Sequence, residues 1–221
     1  GEAVWELTRL FLTDYGINVK TLPDTPHALY PAKDGCETDG YVIPFGDGPR
    51  PLYERRVGKS VILNMLACAT KYMYMTTPYL IIDNDLCTDI ENTAMRGVDV
   101  RIVTPGIPDK KAIYRLTRAN YGILLKAGVR IYEYTPGFVH AKTAVLDDRL
   151  GSVGSANLDY RSLYLNFECG VFFADRSTAV SMREDFLLTL KRSREIRLAD
   201  TAPRTPLSRL ATHMLRLFAP L

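Results

Sequence analysis

Apolar positions recur along this chain first at helical and then at strand spacing, and the two periods alternate. Helical spacing predicts helices over residues 4–15, 58–70, 85–96 and 109–127. Short apolar runs predict strands over residues 41–45, 71–80, 98–104 and 129–134. Strands that alternate with helices are typical of βαβ units, so we predict an α/β fold with a mixed, largely parallel β-sheet flanked by helices on both faces.

The pattern changes after residue 138. Two strands that meet at a turn near residues 147–149 are followed by a strand over 165–174 and an amphipathic helix over 177–194. Residues 206–221 form a basic amphipathic pattern that suits either an interfacial membrane helix or a helix packed on protein. We therefore expect three regions: a helix and linker over 1–40, one domain over 41–198, and a tail over 199–221.

Charge is distributed unevenly over the 221 residues. The net charge is +3, but residues 191–221 carry seven Lys or Arg and two acidic residues, which leaves residues 1–190 at −2. This uneven charge indicates either that the tail contacts an anionic surface or that it is simply solvated. No apolar run reaches about 18 residues, and no signal peptide is visible. The four cysteines form no CxxC pair, so we expect reduced thiols.

The most informative segment is residues 139–159, which reads VHAKTAVLDDRLGSVGSANLD. It places six polar or small residues in the order His-x-Lys-x4-Asp-x6-Gly-Ser-x-Asn, namely His140, Lys142, Asp147, Gly154, Ser155 and Asn157. An imidazole, a fixed cation and neutral hydrogen-bond donors are what a site needs to attack a phosphodiester without a metal. The pattern therefore predicts phosphoryl chemistry, and no cofactor is expected.

Strand alternation predicts which of these side chains share a face. His140 and Lys142 lie two residues apart, so both can reach one phosphate, and Lys142 would stabilise the charged transition state. Ser155 and Asn157 share parity and can donate to phosphate oxygens. Asp147 has the opposite parity at the turn, so we interpret it as structural.

Glu168 is the candidate acceptor for the second ring nitrogen of His140. It lies on the next predicted strand, within an otherwise apolar run, where an unpaired carboxylate is costly. The competing interpretation is that Glu168 joins a structural network and that His140 is a core histidine.

Beyond the motif, the chain resembles a known family. HAKTAVLD followed by GSAN matches the HKD motif of the phospholipase D superfamily, and residues 41–195 resemble the C-terminal half of bacterial cardiolipin synthases, notably in TTPYLIIDNDL and GSANLDYRSLYLNFECG. The resemblance implies that a phosphatidyl group passes from one phosphatidylglycerol to another through a phosphohistidine, without metal, on the cytoplasmic side of the cytoplasmic membrane. It also implies that His140, Lys142 and Asn157 are catalytic or phosphate-binding, and that Glu168 orients the histidine.

The chain departs from that family in having a single motif. The family's site combines two, so we expect this chain to be the second half of a longer enzyme that needs its N-terminal half, or a homodimer. Because the first motif often supplies the nucleophile, we assign His140 as the general acid and keep the nucleophile as the alternative. Two rival functions remain: a homodimeric single-motif nuclease, which the charge of −2 over residues 1–190 disfavours, and a non-catalytic lipid-binding half-domain.

Overall fold

The computed structural model describes residues 2–18 and 40–201. The predicted linker over 21–40, apart from its last residue, and the predicted tail helix over 206–221 lie outside these residues. The described helices are α1 (Glu2–Asn18), α2 (Val57–Cys68), α3 (Asn84–Met95), α4 (Lys111–Lys126), α5 (Tyr160–Tyr164) and α6 (Arg176–Lys191). The strands are β1 (Tyr41–Asp47), β2 (Tyr72–Thr76), β3 (Leu80–Ile81), β4 (Asp99–Pro105), β5 (Arg130–Tyr134), β6 (Thr143–Leu146), β7 (Leu150–Gly154), β8 (Leu158–Asp159), β9 (Glu168–Ala174) and β10 (Ser193–Ile196).

Eight of these strands form one mixed sheet in the order β1-β9-β7-β6-β2-β4-β5-β10. The predicted α/β class is confirmed, but the prediction of a largely parallel sheet is wrong. Only β2–β4 and β4–β5 are parallel pairs in this sheet, whereas the other five pairings are antiparallel. The reason is that helical crossovers join only β2 to β4 and β4 to β5, through α3 and α4, whereas the strands of the second half pair antiparallel with their neighbours.

Helices cover both faces of the sheet, as predicted. In β2 the alternating side chains Met73 and Met75 pack with α2, α3 and α4 in one core cluster. Tyr72 and Tyr74 point the other way and pack with α6, where the ring of Tyr74 stacks on Phe186 at 4.8 Å between centroids. The central strand is therefore buried on both sides.

Glycines end two of the predicted helices. Gly97 and Gly128 follow α3 and α4 with φ of 91° and 98°, a left-handed conformation that glycine adopts without steric cost. After α4, the backbone N–H of Gly128 donates to Leu125 and that of Val129 donates to Leu124, both at 3.1 Å. This pairing satisfies the last carbonyls of the helix, so the chain turns directly into β5.

Three element predictions need correction. The predicted strand over 71–80 is two strands, because Pro78 has no N–H to donate and β2 ends at Thr76. The predicted helix over 177–194 ends at Lys191, and β10 then pairs antiparallel with β5. The predicted strand that carries the histidine begins only at Thr143, which pairs with Thr76.

The sheet register brings several strand ends together at one edge. Thr76 ends β2 opposite Thr143 at the start of β6, and β7 ends with Gly154 opposite Gly170. Glu168 begins β9 opposite Asp47 at the end of β1. Residues that follow or precede these ends are therefore held by the sheet at a common edge.

Candidate active site

His140 and Lys142 lie at this edge, in the extended segment that precedes β6. The expectation that both residues belong to the strand is wrong, because the partner strand β2 has already ended. The ammonium of Lys142 donates to the backbone carbonyl oxygen of His140 at 2.7 Å, so the two residues are nevertheless close. The His140 ring is exposed, lies 5.5 Å from that of Phe138 and, among the described residues, has no hydrogen-bond partner. The imidazole is thus accessible to a ligand.

Lys142 is half-buried and electrically coupled to two carboxylates. Burial lowers the pKa of its ammonium, and the negative charges of Glu168 and Asp159 act in the opposite direction. Its backbone carbonyl accepts from the N–H of Gly154 at 3.2 Å, which anchors the segment to β7. The cation is therefore fixed next to His140 and partly shielded from water, where its effect on a bound phosphate is larger than at an open surface.

Ser155 and Glu168 are brought together, but not in the predicted way. The hydroxyl of Ser155 donates a short hydrogen bond to Glu168, and the N–H of Cys169 donates to that hydroxyl at 2.9 Å. Glu168 also accepts from the amide of Asn166 at 3.2 Å. Within the described residues no hydrogen bond joins Glu168 to His140, so the orienting role of Glu168 stays a prediction. Glu168 is only half-buried because it begins β9 at the sheet edge.

Asn157 also differs from its expected state. Its amide nitrogen donates to Asp159 and to the hydroxyl of Ser162, both at 3.0 Å, so both amide hydrogens are engaged. Its carbonyl oxygen is buried and has no hydrogen-bond partner among the described residues. In this conformation Asn157 has no free donor for a ligand, and its carbonyl oxygen is closed off from solvent.

Asp147 lies five residues after Lys142, beyond the far end of β6, which corresponds to roughly 16 Å at strand rise. Its carboxylate accepts from the N–H groups of Thr70, Lys71 and Tyr72 at 2.8–2.9 Å and from the Thr70 hydroxyl at 2.7 Å. These bonds lower the pKa of Asp147 against the opposing effect of its burial. Asp147 itself has φ of 52° in the β6–β7 turn. These contacts are those expected of a structural residue.

Sequence reasoning missed two buried carboxylates close to these groups. Asp159 accepts the N–H of Ser162 at 2.7 Å as the N-cap of α5, and its burial raises its pKa. Asp47 accepts N–H groups from Gly48 and Gly58 at 2.9 and 2.8 Å, and burial raises its pKa, with a further contribution from Glu168. The helix-capping position of Asp159 after a buried leucine was the available signal.

A buried lysine outside the motif was also missed. Lys59 forms ion pairs with Asp83 at 2.8 Å and Asp85 at 2.9 Å and donates to the hydroxyl of Tyr164 at 2.8 Å. The same hydroxyl donates to Asp83, the N-cap of α3. This network joins the starts of α2 and α3 to the end of α5, and nothing in the local sequence of Lys59 distinguishes it from a solvated lysine.

A small cavity of about 50 Å³ lies next to Lys142. The exposed residues Gly154 and Cys169 border it, and the buried side chains of Met75 and Leu163 line it. The lining is mostly apolar, with the Lys142 side chain as its charged component. In the described part of the chain, no group of three or more His, Cys, Asp or Glu residues could hold a metal ion. Nor does any helix in that part have the length and apolarity to cross a bilayer.

Comparison with known sequences gives closely related proteins over the full length of the chain. A protein of Streptococcus mutans with no assigned function is 40% identical over all 221 residues, which span 47% of that relative. The cardiolipin synthase of Halalkalibacterium halodurans is 34% identical over the same 221 residues, which span 44% of its length. The chain thus spans less than half the length of these curated relatives.

Solved structures share the fold at low sequence identity. The phospholipase D family member Nuc from Salmonella typhimurium matches with a TM-score of 0.61 and 20% identity, covering 72% of this chain and 99% of that chain. The phosphatidylserine synthase of Haemophilus influenzae matches with a TM-score of 0.64 and 17% identity over 81% of this chain and 45% of that chain. Residues 62–189 match the family described as cardiolipin synthase, PLD-like domain. The chain belongs to this phospholipase D-like family.

Proposed function

We propose that this chain is the C-terminal catalytic half of an enzyme that transfers a phosphatidyl group between phosphatidylglycerol molecules, yielding cardiolipin and glycerol. The observation that carries the proposal is the exposed imidazole of His140 beside the fixed ammonium of Lys142, in a chain of the cardiolipin synthase PLD-like family. The name of the Halalkalibacterium halodurans relative supports the same reaction.

In the proposed reaction a histidine nitrogen attacks phosphorus, and the bond from phosphorus to the glycerol oxygen breaks. The leaving oxygen takes a proton from a second imidazole. That imidazole later removes a proton from a hydroxyl of the acceptor lipid as the hydroxyl oxygen attacks phosphorus, and the bond from phosphorus to the first histidine breaks, which frees that histidine. We assign His140 as this acid and base, and the nucleophile to a second motif outside this chain. Lys142 stabilises the charge that develops on the phosphoryl oxygens.

The remaining polar groups have supporting roles in this proposal. Ser155 and Glu168 form a hydrogen-bonded pair at the border of the site. When substrate displaces Ser155 from this pair, Glu168 turns towards the His140 ring. Asn157 binds substrate after rotation of its amide, because its two hydrogens are engaged in the free chain. Asp147 holds the β6–β7 turn. We place the reaction at the cytoplasmic face of the cytoplasmic membrane, with the N-terminal half of the enzyme as partner.

The direct test is cardiolipin formation from phosphatidylglycerol vesicles by the full-length enzyme that contains this chain. His140→Ala should lower the rate by about 10²–10⁴-fold, the range of a general acid–base contribution. His27→Ala is the matched control, because it removes an imidazole outside the motif, and it should leave the rate within about twofold. Unchanged cardiolipin formation by His140→Ala would contradict the proposal. Cleavage of plasmid DNA by the wild type without lipid transfer would favour the nuclease alternative.

A further inference from the structure

Three large apolar side chains are exposed on two loops near the candidate site. Leu52 lies in the loop between β1 and α2 and is 55% exposed, and Leu165 and Phe167 lie between α5 and β9 with 50% and 42% exposure. Side chains of this size gain free energy when they leave water, so their clustering on adjoining loops requires an explanation.

The two loops form one continuous surface. The ring of Tyr53, next to Leu52, contacts the ring of Phe167 edge-on at 6.2 Å between centroids. Gly48 permits this contact, because a Cβ at that position would lie 2.5 Å from the Tyr53 ring and 3.0 Å from the Phe167 ring. Arg56 fixes the first loop by donating to the carbonyl of Gly48 at 2.6 Å.

The same surface is strongly basic. Residues 48–56 and 160–167 contain four arginines and one acidic residue, whereas residues 1–190 as a whole carry −2. Arg50, Arg55 and Arg161 are exposed, and among the described residues none of them forms an ion pair. Arg161 instead donates to the side chain of Asn166 at 3.3 Å. We call Arg50, Leu52, Arg55, Arg161, Leu165 and Phe167 the basic rim patch.

The patch adjoins the candidate active site through covalent and hydrogen-bonded contacts. Phe167 directly precedes Glu168, and Asn166 donates to Glu168, which accepts from Ser155. A surface that combines exposed apolar side chains with unpaired guanidinium groups is complementary to an anionic phospholipid layer, whose phosphates pair with arginine and whose interface accepts the apolar groups.

We propose that the basic rim patch docks on the surface of an anionic phospholipid bilayer and so presents the site edge to lipid headgroups. This inference rests on the proposed function, since that function takes its substrate from such a bilayer. The arginines contact headgroup phosphates, and Leu52, Leu165 and Phe167 enter the interface. Because Glu168 follows Phe167, the docked loop sets the rim of the active site at headgroup level.

The test measures partition of the 221-residue chain onto vesicles of phosphatidylglycerol mixed with phosphatidylcholine, and onto vesicles of phosphatidylcholine alone. The triple substitution Arg50→Gln, Arg55→Gln and Arg161→Gln should weaken binding to the anionic vesicles about 100-fold, at roughly fivefold per arginine. Leu165→Ser with Phe167→Ser should weaken it at least about tenfold.

A control with the same change in charge uses three exposed cations elsewhere, in Lys71→Gln, Lys126→Gln and Arg176→Gln. This control should stay within about threefold of the wild type, and Leu188→Ser is the apolar control at a side chain 57% exposed. All variants retain residues 202–221, and circular dichroism verifies their fold.

Three outcomes would overturn the inference: equal binding of the wild type to both kinds of vesicle, patch variants that bind as the controls do, or patch variants that change only the oligomeric state in solution, which would assign the patch to a protein partner. The proposed function is tested separately by His140→Ala in the full-length enzyme, which should lose lipid transfer and keep vesicle binding. For the wild-type full-length enzyme, lipid transfer without a preference for anionic vesicles would refute the docking surface alone, and binding to anionic vesicles without lipid transfer would refute the function alone.

Discussion

Lys142 donates a hydrogen bond from its ammonium to the backbone carbonyl oxygen of His140, at 2.7 Å. This bond folds the lysine side chain back along the extended segment that carries the histidine. The ammonium keeps two further N–H donors, so it can bind a phosphate oxygen while it remains attached to the segment. The bond therefore sets the position of the cation relative to the imidazole before substrate arrives.

Lys142→Arg tests whether the charge of this side chain is needed. Burial lowers the pKa of Lys142, so the wild-type rate should fall as the pH rises, beginning below the range of an ordinary lysine at about 10.4. A guanidinium stays protonated throughout that range, so Lys142→Arg should be slower at neutral pH, by about tenfold, and lose this alkaline decline. The pH dependence of kcat/KM of the full-length enzyme is the measurement. An unchanged alkaline decline in Lys142→Arg would assign it to another group.

Asp159→Asn should separate stability from activity. Burial raises the folded-state pKa of Asp159, so its ionisation opposes folding, and this cost is present at neutral pH and vanishes as the pH falls below the unfolded value of about 3.9. Asparagine can still cap α5. Once the Asn157 side chain rotates, the new amide can donate to the Asn157 carbonyl oxygen, which has no partner within residues 2–18 and 40–201.

We therefore expect the free energy of unfolding of Asp159→Asn at pH 7 to equal or exceed that of the wild type, by up to about 1 kcal/mol. Lipid transfer should fall about tenfold or more, because the Asn157 amide is repositioned. Urea unfolding of the chain and a transfer assay of the full-length enzyme measure the two effects. A loss of stability above about 2 kcal/mol would mean that Asp159 is a conventional stabilising cap.

Much of this fold followed from the sequence, and the exceptions have identifiable causes. The glycines after α3 and α4 and the apolar periods located the βαβ part correctly, because local steric rules decide those boundaries. The antiparallel pairings β1–β9, β2–β6 and β5–β10 were missed, because they join strands that lie far apart in the chain, whereas the turn predicted near residues 147–149 joins β6 to β7 as expected. Here Asp147 and Asp148 form that turn with φ of 52° and 54°, which aspartate adopts more readily than most residues.

The motif that marks the candidate site was evident from the sequence, but the contacts of its residues were not. Strand alternation predicted that His140 and Lys142 share a strand face, whereas both residues precede β6, and the roles assigned to His140, Lys142, Ser155 and Glu168 stay predictions. Spacing could not show that Ser155 engages Glu168, because that depends on rotamers at a strand end. It also missed Lys59, whose partners lie 24 or more residues away in the chain.

Asp147→Asn should destabilise the chain by about 2–4 kcal/mol at pH 7. The amide nitrogen of asparagine would face backbone N–H groups whose hydrogen bonds the carboxylate of Asp147 now accepts. Asparagine tolerates the positive φ, so the change leaves the turn itself intact. The pKa of Asp147 is lowered on folding, so its stabilisation is complete above the unfolded value of about 3.9 and is lost as the pH falls through the folded value.

The difference between Asp147→Asn and wild type in urea unfolding should therefore narrow as the pH is lowered from 7 to about 3. A difference that stays constant over this range would attribute the effect to packing instead of charge.

Lys59→Met should cost about 2–4 kcal/mol, because it leaves the half-buried carboxylate of Asp83 without its cation. Asp83 has a lowered pKa through Lys59 and Tyr164, whereas the side chain of Asp85 is 78% exposed. Asp85→Asn is accordingly the control and should cost less than about 1 kcal/mol. Thermal unfolding of the wild type, Lys59→Met and Asp85→Asn measures the two losses of stability. Equal losses of unfolding free energy in Lys59→Met and Asp85→Asn would show that the Lys59–Asp83 pair stabilises the fold no more than an exposed ion pair does.

The most direct test of the account is a double-mutant cycle at His140 and Lys142 in the full-length enzyme, with the rate of phosphatidyl transfer as the readout. If both groups act on one phosphorus, each alanine substitution should lower kcat by about 10² or more, and the double variant should be only slightly slower than the slower single variant. Losses that multiply in the double variant, or a single variant that retains the wild-type rate, would contradict the account.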